Sequence, residues 1–340
     1  MTAIQTFLAR LMRGEDLSRA DAGRLLAALL DAAATDGQIA STLIALKMKG
    51  ETVDELAGLA EAMRSRATRI NSHHKRFVDT AGTGSSCAKT FNISTAAAFV
   101  IAGAGLPVAK HGNRAASSLC GSADVLTALG VNVSSPIETS EECLNQIGIC
   151  FMFAPLYHGA TARVASVRRE LGVQTTFNLL GPLTNPAGAP RQIIGVSSRD
   201  LLEPMARALA LLGTERAWIV HGADGLDEIT IADKTFVAEA QNGMVKTFEI
   251  RPKDFDLEPA QLDQVRGGDA TTNAQIILDV LSGARRDEAR DLIVANAAAA
   301  LLVGDVAENL SAAARSAQAS INTGAAMAKL DQLIKATNRI

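Results

Sequence analysis

Residues 79–124 read DTAGTGSSCAKTFNISTAAAFVIAGAGLPVAKHGNRAASSLCGSAD, and this segment decides the expected fold. It follows the short apolar run Phe77–Val78, and its glycine turn at 82–86 leads through polar residues into the small and apolar run Ala96–Ala104. This order predicts a strand, a glycine-rich loop, a polar cap and a helix. Because glycines let backbone N–H groups approach a ligand, and a helix N-terminus adds unpaired donors, we predict an anion site, most often for phosphate.

Two more polar loops follow in the same segment. The apolar residues 107–109 run into Lys110–Arg114, and Gly121-Ser122 then opens a helix that reaches Leu129. One glycine-rich loop by itself is more often an ordinary turn than a ligand site. Loops at the carboxyl ends of neighbouring strands face one crevice, where open α/β sheets bind ligands. Three such loops together therefore favour a phosphate-rich ligand.

Composition bounds the class of protein. The 340 residues are 48% hydrophobic but only 4% aromatic, which is typical of close helix–sheet packing. The net charge of −3, with no basic tract, disfavours nucleic-acid binding as the main role. The N-terminus lacks a signal-peptide pattern and the longest apolar run is broken by glycine, so we expect no membrane span. The four cysteines have no CxxC spacing, which predicts reduced thiols in a cytoplasmic protein.

The periodicity predicts helices only for residues 1–68, with the fourth helix running from Thr52 to near Arg69, and then alternation of strands and helices. Residues 229–255 alternate apolar and polar side chains around Gly243 and predict an antiparallel excursion, and 271–340 reads as helical. The proline-rich stretch 176–186 reads as an irregular loop. Predicted strands are 77–79, 107–110, 131–133, 149–153, 192–196 and 217–221, and predicted helices lie near 94–104, 122–129, 140–147, 199–212 and 290–303. This alternation favours a mostly parallel sheet.

An acidic loop follows the last of these strands. It contains Asp224, Asp227 and Glu228, and carboxylates at a strand end can hold Mg²⁺ through one or two oxygens together with waters and substrate phosphate. A solvated acidic turn is the more probable interpretation from these residues alone. The metal interpretation gains if the loop lies opposite a phosphate site.

The segment resembles the core of the anthranilate phosphoribosyltransferase family, the tryptophan-pathway member of a class that also contains pyrimidine-nucleoside phosphorylases. The matching pieces are GTG at Gly82–Gly84, TFNIST at Thr90–Thr95, KHGNRA at Lys110–Ala115 and GSAD at Gly121–Asp124. Later stretches match the family's FAPxxH, VRRELG, FNLLGPLTNP and HGxDGLDE motifs, so the resemblance covers nearly the whole chain. One departure is Ser85-Ser86, where the family usually has Gly-Asp, and from it we expect an altered response to metal.

The resemblance implies an α/β fold, with a small all-helical domain and a larger domain whose mostly parallel central sheet is flanked by helices. The helical domain would be 1–70, joined by an inserted segment of about 155–185, and the α/β domain would be 77–154 and 186–340. It also implies a homodimer through the helical domain. The reaction would transfer the phosphoribosyl group of 5-phosphoribosyl 1-pyrophosphate (PRPP) to the amine of anthranilate, releasing pyrophosphate, with magnesium (Mg²⁺) as the cofactor.

The same resemblance implies a role for individual residues, with no general base among them. PRPP would be bound by Gly82, Thr83, Gly84, Ser85, Thr90, Asn92, Ser94, Thr95, Lys110, His111, Gly112, Asn113, Arg114, Ser118 and Ser122. Anthranilate would be bound by Gly82, Asn113, Arg168, His111, Pro155 and His158, and Mg²⁺ by Ser94, Asp227 and Glu228. Two alternatives stay open at this point: a pyrimidine-nucleoside phosphorylase with the same fold, and a non-catalytic relative that binds nucleic acid.

Overall fold

The computed structural model describes residues 2–84, 90–115, 119–261 and 265–339, and its first four elements are helices. They are α1 (Ala3–Met12), α2 (Arg19–Leu29), α3 (Asp36–Lys49) and α4 (Val53–Arg64). A Ser or Thr precedes each helix, and its hydroxyl accepts the backbone N–H three residues further on, so every start is capped. The prediction of an all-helical N-terminus is confirmed, although α4 ends at Arg64, before the predicted end near Arg69.

The described residues that follow form a seven-stranded sheet. Its order is β3-β2-β1-β4-β5-β6-β7, in which the first five strands are parallel and the last two are antiparallel. The strands are β1 (Val78–Gly82), β2 (Val108–Gly112), β3 (Ile149–Phe153), β4 (Arg191–Gly195), β5 (Arg216–Gly222), β6 (Thr235–Gln241) and β7 (Met244–Ile250). The mostly parallel sheet and the hairpin at Gly243 are therefore confirmed.

Helices cover both faces of this sheet. On β4, Ile193 belongs to one core and the next residue, Ile194, to the other, because successive side chains of a strand point to opposite faces. The N-terminal helices share the core of Ile194. The remaining helices are α5 (Ile93–Gly103), α6 (Ser122–Ala128), α7 (Ile137–Ile147), α8 (Ala154–Tyr157), α9 (Ala162–Leu171), α10 (Thr176–Leu183), α11 (Leu202–Leu211), α12 (Ala270–Leu281), α13 (Glu288–Val303), α14 (Leu310–Asn322) and α15 (Ala325–Thr337). Most of α13 is buried, so it is a central element of the Ile193 core.

Two predictions of local structure were wrong. Residues 131–133 do not form a strand: Val131 donates its N–H to the carbonyl of Leu126, which closes the end of α6. Residues 176–183 form α10 rather than an irregular loop. The side chain of Asn178 accepts the N–H of Thr175 at 3.1 Å, and this cap stabilises the start of the helix. The prolines and the glycine of this stretch had led to the prediction of a loop.

The segment 155–185 contacts the N-terminal helices at several points. Arg163 of α9 pairs with Asp36 at 2.8 Å, and the Arg64 Nε donates to the carbonyl of Leu183 at 2.7 Å. These contacts agree with an inserted segment that joins the helical part, while the domain boundaries themselves stay a prediction. Within the described ranges, no helix is both long and apolar enough to cross a membrane.

Candidate active site

The candidate site lies at the carboxyl edge of the parallel strands. Gly82 of β1 is in register with Gly195 of β4, and the Thr83 N–H donates to the Gly195 carbonyl at 2.9 Å. The loops after β1, β2 and β5 open at this edge, as the sequence predicted for the first two. The third predicted loop is not at the end of its own strand. It folds against the loop after β2, where the Ala123 N–H donates to the Asn113 carbonyl at 3.1 Å.

Buried hydroxyl groups mark the first loop. Thr83 Oγ1, and Thr95 Oγ1 in the first turn of α5, have no hydrogen-bond partner within the described residues. A buried hydroxyl without a partner is costly, so a ligand atom at this place would stabilise it. Gly84 has φ of 70°, a conformation that favours glycine. Ser85 and Ser86, with the family departure, and Ser118 lie outside the described residues.

Lys110 connects the first two strands. Its Nζ donates to the carbonyl of Thr80 and, at 3.3 Å, to Ser94 Oγ, and the residue is only 4% exposed. Burial lowers the pKa of Lys110, and the charges of Asp79 and Glu228 oppose that shift. The buried side chain of Lys110 therefore orients Ser94 at the start of α5.

Glu228 and Asp227 reach the same place from the loop after β5. Burial first, and then the charge of Asp227, raise the pKa of Glu228 to about 8, against the opposing effects of Lys110 and of hydrogen bonds from Ser94. A Cβ added at Gly82 would lie 3.8 Å from Asp227 Oδ2, so this carboxylate faces the first loop. Two neighbouring carboxylates that resist ionisation together are a suitable donor pair for a divalent cation.

The described residues contain no group of three or more His, Cys, Asp or Glu side chains placed to hold a metal ion. The predicted set of Ser94, Asp227 and Glu228 is nevertheless brought together, since Ser94 hydrogen-bonds to Glu228. Such a set fits Mg²⁺, which commonly takes one or two carboxylates and completes its shell with water and substrate phosphates.

The acidic loop is fixed by two contacts from other elements. A Cβ at Gly195 would lie 1.7 Å from the backbone oxygen of Asp227, so only glycine permits this approach. On the other side, Asn296 of α13 accepts the Ile229 N–H at 3.0 Å and donates to the Ile229 carbonyl at 2.9 Å. Both backbone groups of the residue after Glu228 are therefore held by one buried amide.

Asp124 organises the remaining predicted PRPP residues. Its carboxylate accepts the N–H groups of Ala115 and Gly121, each at 2.9 Å, and pairs with Arg114 at 2.9 Å. A Cβ at Gly112 would lie 2.1 Å from Ser122 Oγ, so this loop too depends on a close glycine contact. Asn92 caps no N–H of α5, because its amide is bonded to the Cys120 carbonyl and to Asn273. Thr90 forms an isolated antiparallel bridge with Arg266.

Two histidines lie together beside the second loop. The ring centroids of His111 and His158 are 5.2 Å apart, and the Nε2 of each is buried without a partner among the described residues. Burial lowers the pKa of His111 to about 3 and that of His158 to about 4, so both rings are neutral at pH 7. The His111 ring also hydrogen-bonds to the carbonyl of Gly181 in α10. Pro155 is exposed on the short helix α8.

Arg168 of α9 faces the same helix α10. Its Nη2 donates to Asn178 Oδ1 at 3.0 Å, and its guanidinium lies 5.6 Å from the centre of the Phe177 ring. Burial lowers the pKa of Arg168, its Nε is buried without a partner, and no described carboxylate forms an ion pair with it. A partly desolvated guanidinium that lacks a carboxylate is well suited to receive one from a substrate.

Sequence reasoning missed the residues that hold this site in shape. Asp79 accepts the His111 N–H at 3.1 Å and the Asn185 amide at 2.7 Å, and Asn185 also donates to the Ala109 carbonyl. Burial raises the pKa of Asp79 to about 6. A polar residue inside an otherwise apolar strand, as at Asp79, or inside an alanine-rich helix, as at Asn296, is the signal that would have pointed to them.

Comparison with known proteins agrees with this geometry. A family model described as a glycosyl transferase family a/b domain matches residues 74–327, and one described as the helical bundle domain of that family matches residues 5–67. An anthranilate phosphoribosyltransferase of Pelotomaculum thermopropionicum is 48% identical over 337 residues, which cover 99% of this chain and 97% of the relative. One from Anaeromyxobacter dehalogenans is 50% identical over 334 residues and covers 98% of both chains.

Solved structures give the same answer. The crystal structure of the Thermus thermophilus anthranilate phosphoribosyltransferase has a TM-score of 0.92 and 36% identity, covering all of both chains. The Saccharomyces cerevisiae enzyme, described in complex with PRPP and Mg, has a TM-score of 0.89 and 28% identity, covering 99% of this chain and 98% of that one. With its helical N-terminus, its phosphate-type loops and these relatives, the chain belongs to the anthranilate phosphoribosyltransferase family.

Proposed function

We propose that the cleft of this chain binds PRPP with Mg²⁺ on its sheet side and anthranilate on its α9–α10 side, and joins them. The products are N-(5-phosphoribosyl)anthranilate and pyrophosphate, a step of tryptophan biosynthesis. One observation supports this proposal above all. The adjacent carboxylates of Asp227 and Glu228 are suited to bind a cation, and the buried guanidinium of Arg168 is suited to bind a carboxylate.

The sheet side supplies donors for the phosphates. The loops at Gly82–Gly84 and Gly112–Arg114 bring backbone groups and the unpartnered Thr83 and Thr95 hydroxyls to the edge of the sheet. The Nζ of Lys110 is hydrogen-bonded to Thr80 and Ser94, and from this buried position its positive charge would attract the phosphates. Direct contact of Lys110 and the other predicted residues with PRPP stays a prediction.

Ser94, Asp227 and Glu228 would hold Mg²⁺. When bound, the ion supplies positive charge that stabilises the departing pyrophosphate. The raised pKa of Glu228 means that the carboxyl group keeps its proton in the absence of metal. A bound cation would lower that pKa, so binding of the metal and loss of the proton would be coupled.

The α9–α10 side would hold anthranilate. Arg168 is suited to a charge-assisted, two-point pair with the substrate carboxylate. His111 and His158 are neutral, and each presents a buried Nε2 that needs a partner, so they can orient an aromatic amine without adding charge. Asn113, Gly82 and Pro155 remain predicted neighbours of this substrate.

Catalysis then rests on position and charge rather than on a strong base. The amine nitrogen forms a bond to C1 of the ribose as the bond from C1 to the pyrophosphate oxygen breaks. An aromatic amine becomes acidic once it bears that bond, so its proton can pass to solvent or to pyrophosphate. Held geometry and stabilised leaving-group charge are sufficient sources of rate for such a displacement.

Loss of anthranilate fluorescence tests the proposal. Consumption should require PRPP and Mg²⁺ together, and omission of either should abolish it. Equal turnover of thymidine with phosphate would instead identify a nucleoside phosphorylase, and salt-dependent retention of DNA in a gel-shift assay would revive the nucleic-acid-binding alternative.

We also propose that the chain is a homodimer through its N-terminal helices and works in the cytoplasm. Among the described residues, the two most exposed large apolar side chains are Met48 at 84% and Met12 at 76%, on the contacting helices α3 and α1. Sedimentation of the wild type and of Met12→Glu with Met48→Glu tests the interface. The cytoplasmic location rests on cysteine usage, and Cys143 and Cys150 are free and buried.

A further inference from the structure

A second polar cavity lies on the opposite edge of the sheet from the candidate active site. It has a volume of about 450 Å³ and is lined by two stretches of chain, 64–72 with Phe77 and 185–190. These stretches lead into the amino ends of β1 and β4, whereas the phosphate-type loops leave the carboxyl ends. Five residues of strand separate the two edges by about 13 Å.

The charge of this cavity is one-sided. Arg64 and Arg69 line it together with Asn71 and Ser72, and none of the described residues that line it is Asp or Glu. Neither arginine forms an ion pair with a described carboxylate, and burial together with the neighbouring charge of Arg69 lowers the pKa of Arg64 to about 10. Two guanidinium groups that repel each other in a concave site favour an anion between them.

The walls indicate the kind of anion. The lining of the cavity also includes Ile70, Phe77, Pro186 and Pro190, which give it apolar surface. We propose that this cavity is a binding site for a phosphate-type oxyanion, either inorganic phosphate or the phosphate group of a small ester with an apolar body. Its chemistry is that of charge-assisted hydrogen bonds from the guanidinium groups to phosphate oxygens.

Binding there would bridge the two connections between the N-terminal helices and the sheet. Arg64 already ties α4 to the end of α10 through the Leu183 carbonyl, and to the Leu212 carbonyl at 3.4 Å. Asn185 lines the cavity and also donates to Asp79, which accepts the His111 N–H. An anion bound between these two stretches would therefore make the connection more rigid. Its effect would reach the active site through the side-chain amide of Asn185.

The test uses the full chain and two probes, inorganic phosphate and phenyl phosphate, in isothermal titration calorimetry. Arg69→Gln should weaken binding of both probes by about ten- to a hundredfold, as expected for loss of a charged hydrogen bond. Ala67→Leu, which fills the cavity and keeps both charges, should weaken it as well. Arg66→Gln is the matched control, because Arg66 is exposed, lies outside the cavity and bonds only to the Ala62 carbonyl among the described residues. Tighter binding of phenyl phosphate would identify the ester as the preferred source of the oxyanion.

Hydrogen–deuterium exchange locates the bound probe. Phosphate should protect residues 64–72 and 185–190, and Arg69→Gln should remove this protection while the KM for PRPP stays unchanged. The proposal is overturned if phosphate protects only the loops at the carboxyl edge, if Arg66→Gln weakens binding as much as Arg69→Gln does, or if neither probe binds at millimolar concentration.

Discussion

The side chain of Asn296 offers a direct test of how the acidic loop is held. It lies on α13, is 3% exposed, and makes three hydrogen bonds, two with the backbone of Ile229 and one with the Leu292 carbonyl at 2.9 Å. Asn296→Ala removes all three without adding bulk. Ile229 follows Glu228 directly, so the change releases the backbone that positions a predicted metal ligand while leaving the carboxylates intact.

The expected cost follows from the groups left behind. The buried Ile229 N–H loses its partner, which costs about 1–3 kcal/mol, and its carbonyl loses a bond worth about 0.5–1.5 kcal/mol. The Leu292 carbonyl lies within α13 and adds little. We therefore expect Asn296→Ala to lower the free energy of unfolding by about 2–4 kcal/mol. Because the residues that orient metal ligands strongly affect affinity, we also expect Mg²⁺ to bind about tenfold more weakly.

Urea unfolding and Mg²⁺ titration, followed by both activity and calorimetry, measure the two effects separately. Asn273→Ala is the matched control, since Asn273 is equally buried, accepts the Gly268 N–H at 2.7 Å and donates to Asn92 rather than to the acidic loop. It should cost similar stability but leave Mg²⁺ binding unchanged. If both variants change Mg²⁺ affinity equally, or if Asn296→Ala changes only stability, the positioning argument is refuted.

Three further predictions concern anthranilate, the metal and the effect of pH on stability. Arg168→Ala should raise the KM for anthranilate by about ten- to a hundredfold, because the lost ion pair with the substrate is worth about 1.5–3 kcal/mol. Arg169→Ala is the control and should leave this KM unchanged, since Arg169 is exposed. An unchanged KM in Arg168→Ala would mean that Arg168 has only a structural role. Asp227→Asn with Glu228→Gln should lower kcat and weaken Mg²⁺ activation, and wild-type activation in this double variant would make the acidic turn structural. Without metal, the pKa of Glu228 is about 8 in the folded chain and 4.5 in the unfolded chain, so the folded chain holds a proton that the unfolded chain releases. The free energy of unfolding should therefore fall as pH rises from 4.5 toward about 8. Urea unfolding of Glu228→Gln should show a weaker dependence on pH.

The sequence predicted the helices and strands that show a regular spacing of apolar residues. Apolar periodicity located the four N-terminal helices, with hydroxyl caps at Ser18 and Thr52, and short apolar runs located β1, β2 and β3. Where local signals conflicted, prediction failed. Gly181 and Pro182 suggested a loop at α10, but the Asn178 cap and the packing of Leu179, Leu180 and Leu183 in the core outweighed them.

The candidate site was less accessible from sequence, because its partners come from distant parts of the chain. Nothing local to Lys110 says that its charge lies between Asp79 and Glu228. Nothing local to Gly195 says that the backbone of Asp227 passes where a Cβ would be. Such contacts depend on the order of strands in the sheet, which pattern alone left open. The assignment of residues to PRPP and anthranilate came from the resemblance, and it stays a prediction.

On the proposed assignment, the charges of the cleft would keep the two substrates in separate regions until they react. Glu228 holds a proton until a cation replaces it, so on the proposed assignment this side would bind pyrophosphate together with that cation. Arg168 has no carboxylate partner among the described residues, so this side would accept a carboxylate without a cation. Each substrate would bind poorly in the region proposed for the other. The carboxylate of anthranilate would be repelled by Asp227, and a pyrophosphate already neutralised by Mg²⁺ would be attracted less strongly by Arg168. His111 and His158 are neutral, so they add no charge to either region and leave the separation to the carboxylates and to Arg168.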